Sequence, residues 1–406
     1  MNRDAAEQLR VISAGAVDVI TEADLSRKLQ RGTPLRVKLG IDPTASDIHL
    51  GFAVVLRKLR QFQELGHVAV LILGDFTAQV GDPSGRSTTR PPLSRDEVNE
   101  HARTYVEQMQ QILLPEPLEV RRNSEWLATM GIEDVLRLTA RTTVARLLER
   151  DDFAHRFRDG KPISLTEFLY PLLQGWDSVM VRADVELGGT DQLFNNLMGR
   201  TLQEPEGQEG QVVLTLPLLE GLDGVQKMSK SLGNYVGITE PAPEQYGKLM
   251  SLPDPLLPRY LTLTTGWAPD QVAETTRALE AGDLSPRDAK RLLARTVADL
   301  YHGPGAGVAA EAEFDRVFRA HEPPSDVPEH HLEPPDPADG PLRVAAVLHQ
   351  AGLANSNKEG RRLIQQGGVR LDGDVVEDPD LALPATDLDG HLLQVGKRRW
   401  VRLRFP

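Results

Sequence analysis

Three near-continuous apolar runs constrain the fold of this chain more than any other feature of its sequence. They are LRVKLGI at 35–41, HVAVLILG at 67–74 and VVLTLPLL at 212–219, and helix-like stretches lie between them. Strands that are apolar on both faces are typical of a parallel sheet covered by helices on both sides. We therefore expect an α/β fold in which residues 1–235 form a doubly wound, Rossmann-like parallel-sheet domain.

The rest of the chain changes character twice. Residues 236–320 predict a separate α-helical domain, with Ser285 as the N-cap of a long amphipathic helix. The segment 321–341 holds seven prolines and six acidic residues, which predicts a linker because it has too little apolar surface to fold alone. Its adjacent His330 and His331 are expected to be solvated, and we predict no metal site. Residues 342–406 predict a small α+β domain.

Charge and composition exclude several classes of protein. The net charge of −13 argues against binding nucleic acid or anionic membranes by bulk charge. Residues 342–406 nevertheless carry ten basic and eight acidic side chains, so a local nucleic-acid contact there and an ordinary mixed-charge surface both remain open. The chain has no cysteine, which rules out disulfides and thiolate chemistry. It has no apolar run of about 18 residues, so we expect a cytoplasmic protein with no membrane partner.

The first candidate site follows the first apolar run, in GIDPTASDIHLGF at 40–52. The next residues carry apolar side chains at helical spacing, so a helix is expected to begin at His49-Leu50-Gly51. Unpaired N–H groups and the positive end of the helix dipole make such a start suitable for a phosphate. An ordinary first turn remains the alternative from this stretch alone.

The second candidate site is the loop VQKMSKSLGN at 225–234, which follows the last apolar run. Its two lysines and two hydroxyl groups could surround a polyphosphate and stabilise charge on a leaving pyrophosphate. An ordinary exposed turn rich in Lys and Ser remains the alternative from this stretch alone.

Together the two stretches resemble the HIGH and KMSKS signatures of class I aminoacyl-tRNA synthetases, as HLGF at 49–52 and KMSKS at 227–231. The resemblance implies that ATP, with Mg²⁺, is a substrate whose phosphates lie over the helix start, and that no tightly bound cofactor is needed. The catalytic residues it implies are His49, Lys227 and Lys230. The ATP-binding residues it implies are these three with Gly40, Asp42, Thr44, Gly51, Gly189, Asp191, Met228 and Ser229.

A third feature is the helix predicted for ISLTEFLYPLLQGWDSV at 163–179, which opens with a capping box. Tyr170, Gln174 and Asp177 lie on one face of it, among apolar side chains. Polar groups in such surroundings need hydrogen-bond partners, from the protein or from a ligand.

This helix, GDPSG at 81–85 and GGTDQ at 188–192 resemble tyrosyl-tRNA synthetases. The resemblance implies activation of L-tyrosine by ATP and transfer of tyrosine to the 3′ end of tRNA(Tyr). It places Asp82, Tyr170 and Gln174 at the substrate ammonium, Asp177 at the phenol, and Gln192 with Asp191 at the amino-acid end and ribose of the adenylate. Phenylalanine has no phenol O–H, so a carboxylate that accepts a hydrogen bond from tyrosine would lose that partner if phenylalanine were bound.

The sequence departs from the family pattern at two positions. Phe52 replaces the second histidine of HIGH, so one imidazole that could face the triphosphate is missing. Lys38 stands where many relatives carry a tyrosine that meets the phenol, and a pairing of Lys38 with Asp177 is expected. A tryptophan ligase of the same class is the nearest alternative, since an indole N–H can also donate to Asp177. A non-catalytic RNA-binding protein is the alternative from another class.

The C-terminal run from 345 to 378 resembles the S4 RNA-binding domain. The resemblance implies that Lys358, Arg361 and Arg362 face RNA phosphate. It further implies that residues 236–320 lie on the anticodon side of tRNA, and that the protein is a homodimer.

Overall fold

The computed structural model describes residues 4–43, 47–83, 95–320, 322–332, 340–396 and 399–405. The chain divides into two compact units, residues 1–307 and 308–406. The helices after residue 235 belong mostly to the first unit. The boundaries predicted at 235, 320 and 341 remain predictions, since the division into two units falls elsewhere.

A six-stranded sheet is the centre of the first unit. Its strands are β1 (Asp18–Ile20), β2 (Arg36–Ile41), β3 (Val68–Leu73), β4 (Leu118–Arg122), β5 (Val185–Gly189) and β6 (Val212–Leu216). Their spatial order is β1-β6-β5-β2-β3-β4, and all neighbours are parallel except β1, which runs antiparallel to β6 at one edge. The three apolar runs became β2, β3 and β6, which confirms the predicted parallel-sheet fold.

The strand order creates a switch point between β2 and β5. From β2 the chain winds outward through β3 to β4, and it then returns to the other side of β2 to add β5 and β6. Connections therefore leave the carboxyl ends of β2 and β5 in opposite directions, and ligands of open α/β sheets bind in the crevice this leaves. Gly40 and Gly189 lie at those two strand ends.

Helices cover the sheet and extend beyond it. In the first unit they are α1 (Ala5–Ser13), α2 (Glu22–Gln30), α3 (Leu50–Glu64), α4 (Thr77–Val80), α5 (Arg95–Met109), α6 (Ser124–Leu127), α7 (Ile132–Thr139), α8 (Val144–Leu147), α9 (Asp151–Arg158), α10 (Leu165–Val181), α11 (Leu193–Gln203), α12 (Ala242–Met250), α13 (Leu257–Thr264), α14 (Pro269–Ala281) and α15 (Pro286–His302). The next helix, α16 (Ala306–Phe318), spans the boundary between the units.

Apolar packing holds α10 beside the switch point. Val70 and Ile72 of β3 pack in one buried cluster with Leu172 of α10 and with Met198 and Leu202 of α11. The predicted capping box begins α10, because Glu167 accepts from the backbone N–H of Ser164 at 2.9 Å. Sequence-local capping and burial of one face thus place the polar face of α10 at the carboxyl end of the sheet.

The second unit is built on a five-stranded sheet and two short helices. Its elements are β7 (Glu329–His331), β8 (Leu342–Arg343), α17 (Val344–Gln350), α18 (Asn357–Gln365), β9 (Val369–Leu371), β10 (Asp374–Val375), β11 (Ala382–Leu383), β12 (Leu392–Val395) and β13 (Arg399–Arg404). The large sheet has the order β10-β9-β12-β13-β7. The hairpin β9–β10 turns at Asp372 and Gly373, both with positive φ, which is the geometry a two-residue hairpin requires.

Part of the segment predicted as a linker is a strand. Residues 329–331 pair in parallel with β13, and Leu332 is buried in the core of the second unit. Edge pairing needs only backbone groups and one apolar anchor, so a Pro-rich composition does not prevent it. His330 and His331 lie in this strand. Among the described residues, no helix is long and apolar enough to span a membrane.

Candidate active site

A cavity of about 790 Å³ opens at the switch point of the first unit. All but two of the predicted catalytic, ATP-binding and tyrosine-binding residues line it. Thr44 lies outside the described residues, and Lys230 makes an ion pair with Asp47, which lines the cavity. The predicted residues that line it are Gly40, Asp42, His49, Gly51, Asp82, Tyr170, Gln174, Asp177, Gly189, Asp191, Gln192, Lys227, Met228 and Ser229.

The start of α3 forms one wall of the cavity. His49 is the N-cap, and its Nδ1 accepts from the backbone N–H of Phe52 at 3.3 Å. Burial, together with the charges of Lys230 and Lys227, lowers the pKa of His49 to about 4, so its imidazole is neutral near pH 7. Since Nδ1 accepts, the proton is assigned to Nε2, which makes His49 a hydrogen-bond donor for an oxygen ligand.

Gly51, in the first turn of α3, lies where a side chain would be crowded. A Cβ on Gly51 would lie 3.2 Å from the His49 ring and 3.4 Å from Cβ of Met228. The Gly51 backbone N–H donates to Sδ of Met228 at 3.3 Å, so the loop at 225–234, the lysine loop, packs directly on the helix start. Phe52 also lines the cavity, and it puts an apolar ring where the family signature has its second histidine.

The lysine loop brings two ammonium groups to the cavity. Nζ of Lys227 lies 2.9 Å from Oδ2 of Asp191, and Nζ of Lys230 lies 2.6 Å from Oδ2 of Asp47. Asn234 holds the loop by accepting from the N–H of Ser229 at 2.8 Å. Both lysines are therefore held at the cavity by carboxylates. From these positions their ammonium groups could exchange the carboxylate for the oxygens of a polyphosphate.

Asp42 is shared between the two predicted subsites. It accepts from Oη of Tyr170 at 2.9 Å and from Oγ1 of Thr77 at 2.7 Å. A Cβ on Gly74 would lie 2.0 Å from Oδ1 of Asp42, so only glycine fits beneath this carboxylate. Burial and nearby carboxylates raise the pKa of Tyr170 far above its usual range, which keeps the hydroxyl neutral and able to accept a hydrogen bond from an ammonium.

The predicted ammonium site contains a second carboxylate. Oδ2 of Asp82 accepts from Nε2 of Gln192 at 2.9 Å, and Nη2 of Arg150 lies 3.6 Å from its Oδ1. Asn195 connects this pair to α10, donating to Oε1 of Gln192 and of Gln174 at 3.1 Å each. Asp82, Gln192 and Gln174 therefore belong to one hydrogen-bonded group.

Asp177 lies at the buried end of the cavity. Its carboxylate accepts from Nε1 of Trp126 at 2.8 Å and from Nδ2 of Asn123 at 3.3 Å. Burial raises the pKa of Asp177 to about 7, against the opposing effect of the Lys38 charge. A carboxylate has about four acceptor positions, so it can take a further donor from a ligand.

The predicted pairing of Lys38 with Asp177 is wrong. Among the described residues, the ion-pair partner of Lys38 is Glu186, 2.9 Å away, and both side chains are fully buried. Lys38 and Glu186 are direct partners across the parallel ladder of β2 and β5, which explains the pairing. Lys38 therefore acts on Asp177 through its charge rather than by contact.

Several residues at the site carried no signal in the sequence. Asn123 precedes the four-residue helix α6 and Trp126 lies within it, about 50 positions before Asp177, and only the fold brings them to that carboxylate. Glu186 lies within an apolar run, where a buried charge could have been noticed, because an unpaired one is costly. Asp47, the partner of Lys230, lies within the stretch 40–52, and its place in the sequence does not indicate an ion pair with a lysine 183 positions later.

The predicted RNA-binding residues lie on α18 of the second unit. Ser356 caps this helix by accepting from the N–H of Glu359 at 3.2 Å. Lys358 is exposed, Arg361 lies 2.9 Å from Asp380, and Arg362 lies 3.4 Å from Glu359. Their spacing of three and four places the three cations on one exposed side of the helix.

Comparison with known proteins identifies the class. Residues 30–319 match the family model of tRNA synthetases class I (W and Y), and residues 342–388 match the S4 domain. The solved tyrosyl-tRNA synthetase complexed with L-tyrosine from Archaeoglobus fulgidus aligns with a TM-score of 0.63 at 24% identity, covering 76% of this chain and 99% of that chain. The mitochondrial tyrosyl-tRNA synthetase of Aspergillus nidulans, C-terminally truncated, gives 0.65 at 22% identity and covers 78% of this chain and 94% of that chain. Both likenesses show the fold.

Relatives of higher identity narrow the family. A tyrosine–tRNA ligase of Moorella thermoacetica is 51% identical over 99% of this chain and 97% of its own length. Tyrosine–tRNA ligases of Geobacter sulfurreducens and Thermotoga maritima are 49% and 47% identical, each over 98% of this chain and at least 97% of their own length. The chain belongs to the class I aminoacyl-tRNA synthetases, in the branch whose members are tyrosine–tRNA ligases, and it carries an S4 domain. The resemblance noted from its motifs is thereby confirmed.

Proposed function

We propose that this ligase activates L-tyrosine with ATP and then transfers it to tRNA(Tyr). The tyrosine carboxylate attacks the α-phosphate in line and releases pyrophosphate, and the tyrosyl-adenylate then passes its acyl group to the terminal adenosine of the tRNA. One observation carries the proposal: a single cavity at the switch point holds the start of α3, the lysine loop and the buried carboxylate of Asp177.

ATP is assigned to the side of the cavity formed by α3 and the lysine loop. Nε2–H of His49 would donate to a phosphate oxygen, and Lys227 and Lys230 would leave Asp191 and Asp47 to hold the departing pyrophosphate. A Cβ on Gly40 would meet no atom within 4 Å, so the backbone at the end of β2 is open to a ligand. Gly40, Asp42, Gly51, Gly189, Met228 and Ser229 complete the proposed ATP side.

Tyrosine is assigned to the polar face of α10. Tyr170, Gln174 and Asp82 would bind its ammonium, Gln192 its carboxyl end, and Asp177 would accept from the phenol. No protein nucleophile is needed, because positioning of the carboxylate and stabilisation of the leaving group account for adenylate formation. Mg²⁺ is proposed to arrive with ATP. In the described part of the chain, no three His, Asp or Glu side chains cluster as a metal site.

Amino-acid-dependent ATP–pyrophosphate exchange tests this assignment. Purified full-length protein without tRNA is assayed with each of the twenty amino acids separately. Exchange with tyrosine alone is expected. Exchange with tryptophan would keep the mechanism but overturn the pocket assignment, and no exchange with any amino acid would favour a non-catalytic RNA-binding protein.

We further propose that Lys358, Arg361 and Arg362 of the S4 domain contact tRNA phosphates. Replacing all three by alanine should raise the KM for tRNA about tenfold and reduce the slope of log affinity against log salt by about 2 to 3. Tyrosine-dependent pyrophosphate exchange should stay at the wild-type rate, since the activation site lies in the first unit. Arg10→Ala, which removes an exposed arginine of α1, is the control. An unchanged KM for tRNA would contradict the assignment.

A homodimer is proposed from large apolar side chains exposed in the first unit. Ile132 and Leu136 of α7 are 72% and 61% exposed, and Val144, Phe157 and Leu165 are each more than 60% exposed. Isolated exposed hydrophobic residues are normal, but five of them within 34 consecutive residues favour a surface that another protein covers. A cytoplasmic location is inferred from the substrates, since ATP, tyrosine and tRNA are available together there.

A further inference from the structure

A buried ion pair lies directly beneath the proposed tyrosine pocket. Nζ of Lys38 donates to the backbone carbonyl of Gln174 at 2.8 Å, to Oγ of Ser178 at 2.8 Å, and to Oε1 of Glu186 at 2.9 Å. An ammonium group has three protons, so all of them are used. Two of the three acceptors belong to one turn of α10, the turn that also carries Asp177.

Glu186 completes the connection from the other strand. Its Oε2 accepts from Oγ of Ser178 at 3.0 Å and from Nε2 of Gln211 in a short contact, and its Oε1 accepts from Nε2 of Gln174 at 3.3 Å. The pair thus contacts the backbone and the side-chain amide of Gln174, and the hydroxyl of Ser178. Gln174 and Asp177 are the pocket residues whose orientation depends on that turn.

Stability alone is a weak reason for such a pair. Desolvation of two buried charges consumes most of their attraction, and apolar side chains of similar volume often pack as well or better. Leu172, Met198 and Leu202 already provide apolar packing between α10 and α11. The hydrogen bonds of the pair fix the position of this helix turn along the helix axis and its rotation about that axis. Apolar contacts tolerate small shifts of both.

We propose that Lys38, held by Glu186, is a positioning residue for tyrosine recognition that fixes the Gln174–Ser178 turn of α10 and so aligns the Gln174 amide and the Asp177 carboxylate with the substrate. The inference rests on the proposed function, since it concerns how that pocket reads tyrosine. Lys38 contacts no substrate and takes no part in the chemistry.

The test compares two buried lysines in the full-length protein. Lys38→Met removes the ammonium group and keeps the length of the side chain. Lys28→Met is the matched control, because Lys28 is also buried and lies 3.3 Å from a carboxylate, that of Asp184, but none of its partners lines the cavity. Both variants should melt at a lower temperature than the wild type.

Only Lys38→Met should change recognition. Its KM for tyrosine in pyrophosphate exchange should rise tenfold or more, its preference for tyrosine over phenylalanine in kcat/KM should fall tenfold or more, and its KM for ATP should stay within twofold. Lys28→Met should keep all three values within twofold. Two results would show a general loosening of the fold and overturn the proposal. One is that Lys28→Met and Lys38→Met have equal effects; the other is that Lys38→Met raises the KM for ATP as much as the KM for tyrosine.

Two further variants keep the test decisive if Lys38→Met does not fold. Lys38→Met/Glu186→Gln removes the pair without leaving a lone buried carboxylate, and it should show the same rise in the KM for tyrosine. Ser178→Ala removes one acceptor and keeps the pair, and it should raise that KM about threefold. Wild-type recognition in whichever of these folds would refute the proposal. A wild-type protein that fails to activate tyrosine would refute the proposed function instead.

Discussion

Replacing Lys230 by alanine should lower the rate of adenylate formation about 100- to 1000-fold, the usual cost of removing one group that stabilises charge in a transition state. Negative charge builds on the leaving pyrophosphate during the attack on the α-phosphate. At an effective dielectric constant of about 20, a unit charge about 4 Å away contributes about 4 kcal/mol before desolvation. Lys230 would meet that charge after leaving Asp47, so its effect belongs to the transition state.

Pre-steady-state measurement of adenylate formation checks this expectation, with the affinity for tyrosine measured separately. That affinity should remain within twofold of wild type, because Lys230 lies on the proposed ATP side. Lys248→Ala is the matched control. Lys248 lies over the same Tyr235 ring as Lys230, but its partners are Glu240 and Glu244, which do not line the cavity, whereas Asp47, the partner of Lys230, does. A normal rate in Lys230→Ala would refute a role for Lys230 in activation.

The start of α3 and the polar face of α10 could be predicted because their determinants are local. Helix periodicity, the Ser164 capping box and an apolar run each depend on residues within a few positions of one another. The parallel character of the sheet followed from the near-continuous apolar sequences of β2, β3 and β6, since such strands are typical of sheets covered on both faces. The family signatures then assigned roles to residues that periodicity had only placed.

The partners of those residues could not be predicted in the same way. Lys38 pairs with Glu186 because β2 and β5 are neighbours, and that neighbourhood is a property of the strand order rather than of either strand. Trp126 and Asn123 reach Asp177 for a similar reason, since they follow β4 at the same end of the sheet. The strand at 329–331 was hidden because backbone pairing at a sheet edge leaves little trace in composition.

The recognition of tyrosine by Asp177 should depend on pH near neutrality. Burial raises the pKa of this carboxyl group from 3.8 to about 7; Lys38, Trp126 and Asn123 oppose the rise, and Glu186 adds to it. Below that pKa the group is protonated and is a poorer acceptor for the phenol. As the pH rises from 6 to 8 the carboxylate forms, so the preference for tyrosine over phenylalanine should increase with a midpoint near pH 7.

The ratio of kcat/KM for tyrosine to that for phenylalanine isolates this effect. Both amino acids carry the same ammonium and carboxylate and meet the same ATP site, so titration of His49 or of the substrate backbone cancels in the ratio. The phenol itself titrates near pH 10, outside the range measured. Pyrophosphate exchange with each amino acid between pH 6 and 8 supplies the ratio, and a ratio that stays constant would show that the acceptor of the phenol does not titrate in this range.

Asp177→Asn should remove the pH dependence and most of the preference. A hydrogen bond to a charged group contributes about 1.5–3 kcal/mol, so kcat/KM for tyrosine should fall about 10- to 150-fold at pH 8, with little change for phenylalanine. The variant should not melt at a lower temperature at pH 8, because in the wild type an acid with a raised pKa costs stability once it ionises. A loss of tyrosine activity without a loss of fold would therefore locate the effect in the hydrogen bond to the phenol.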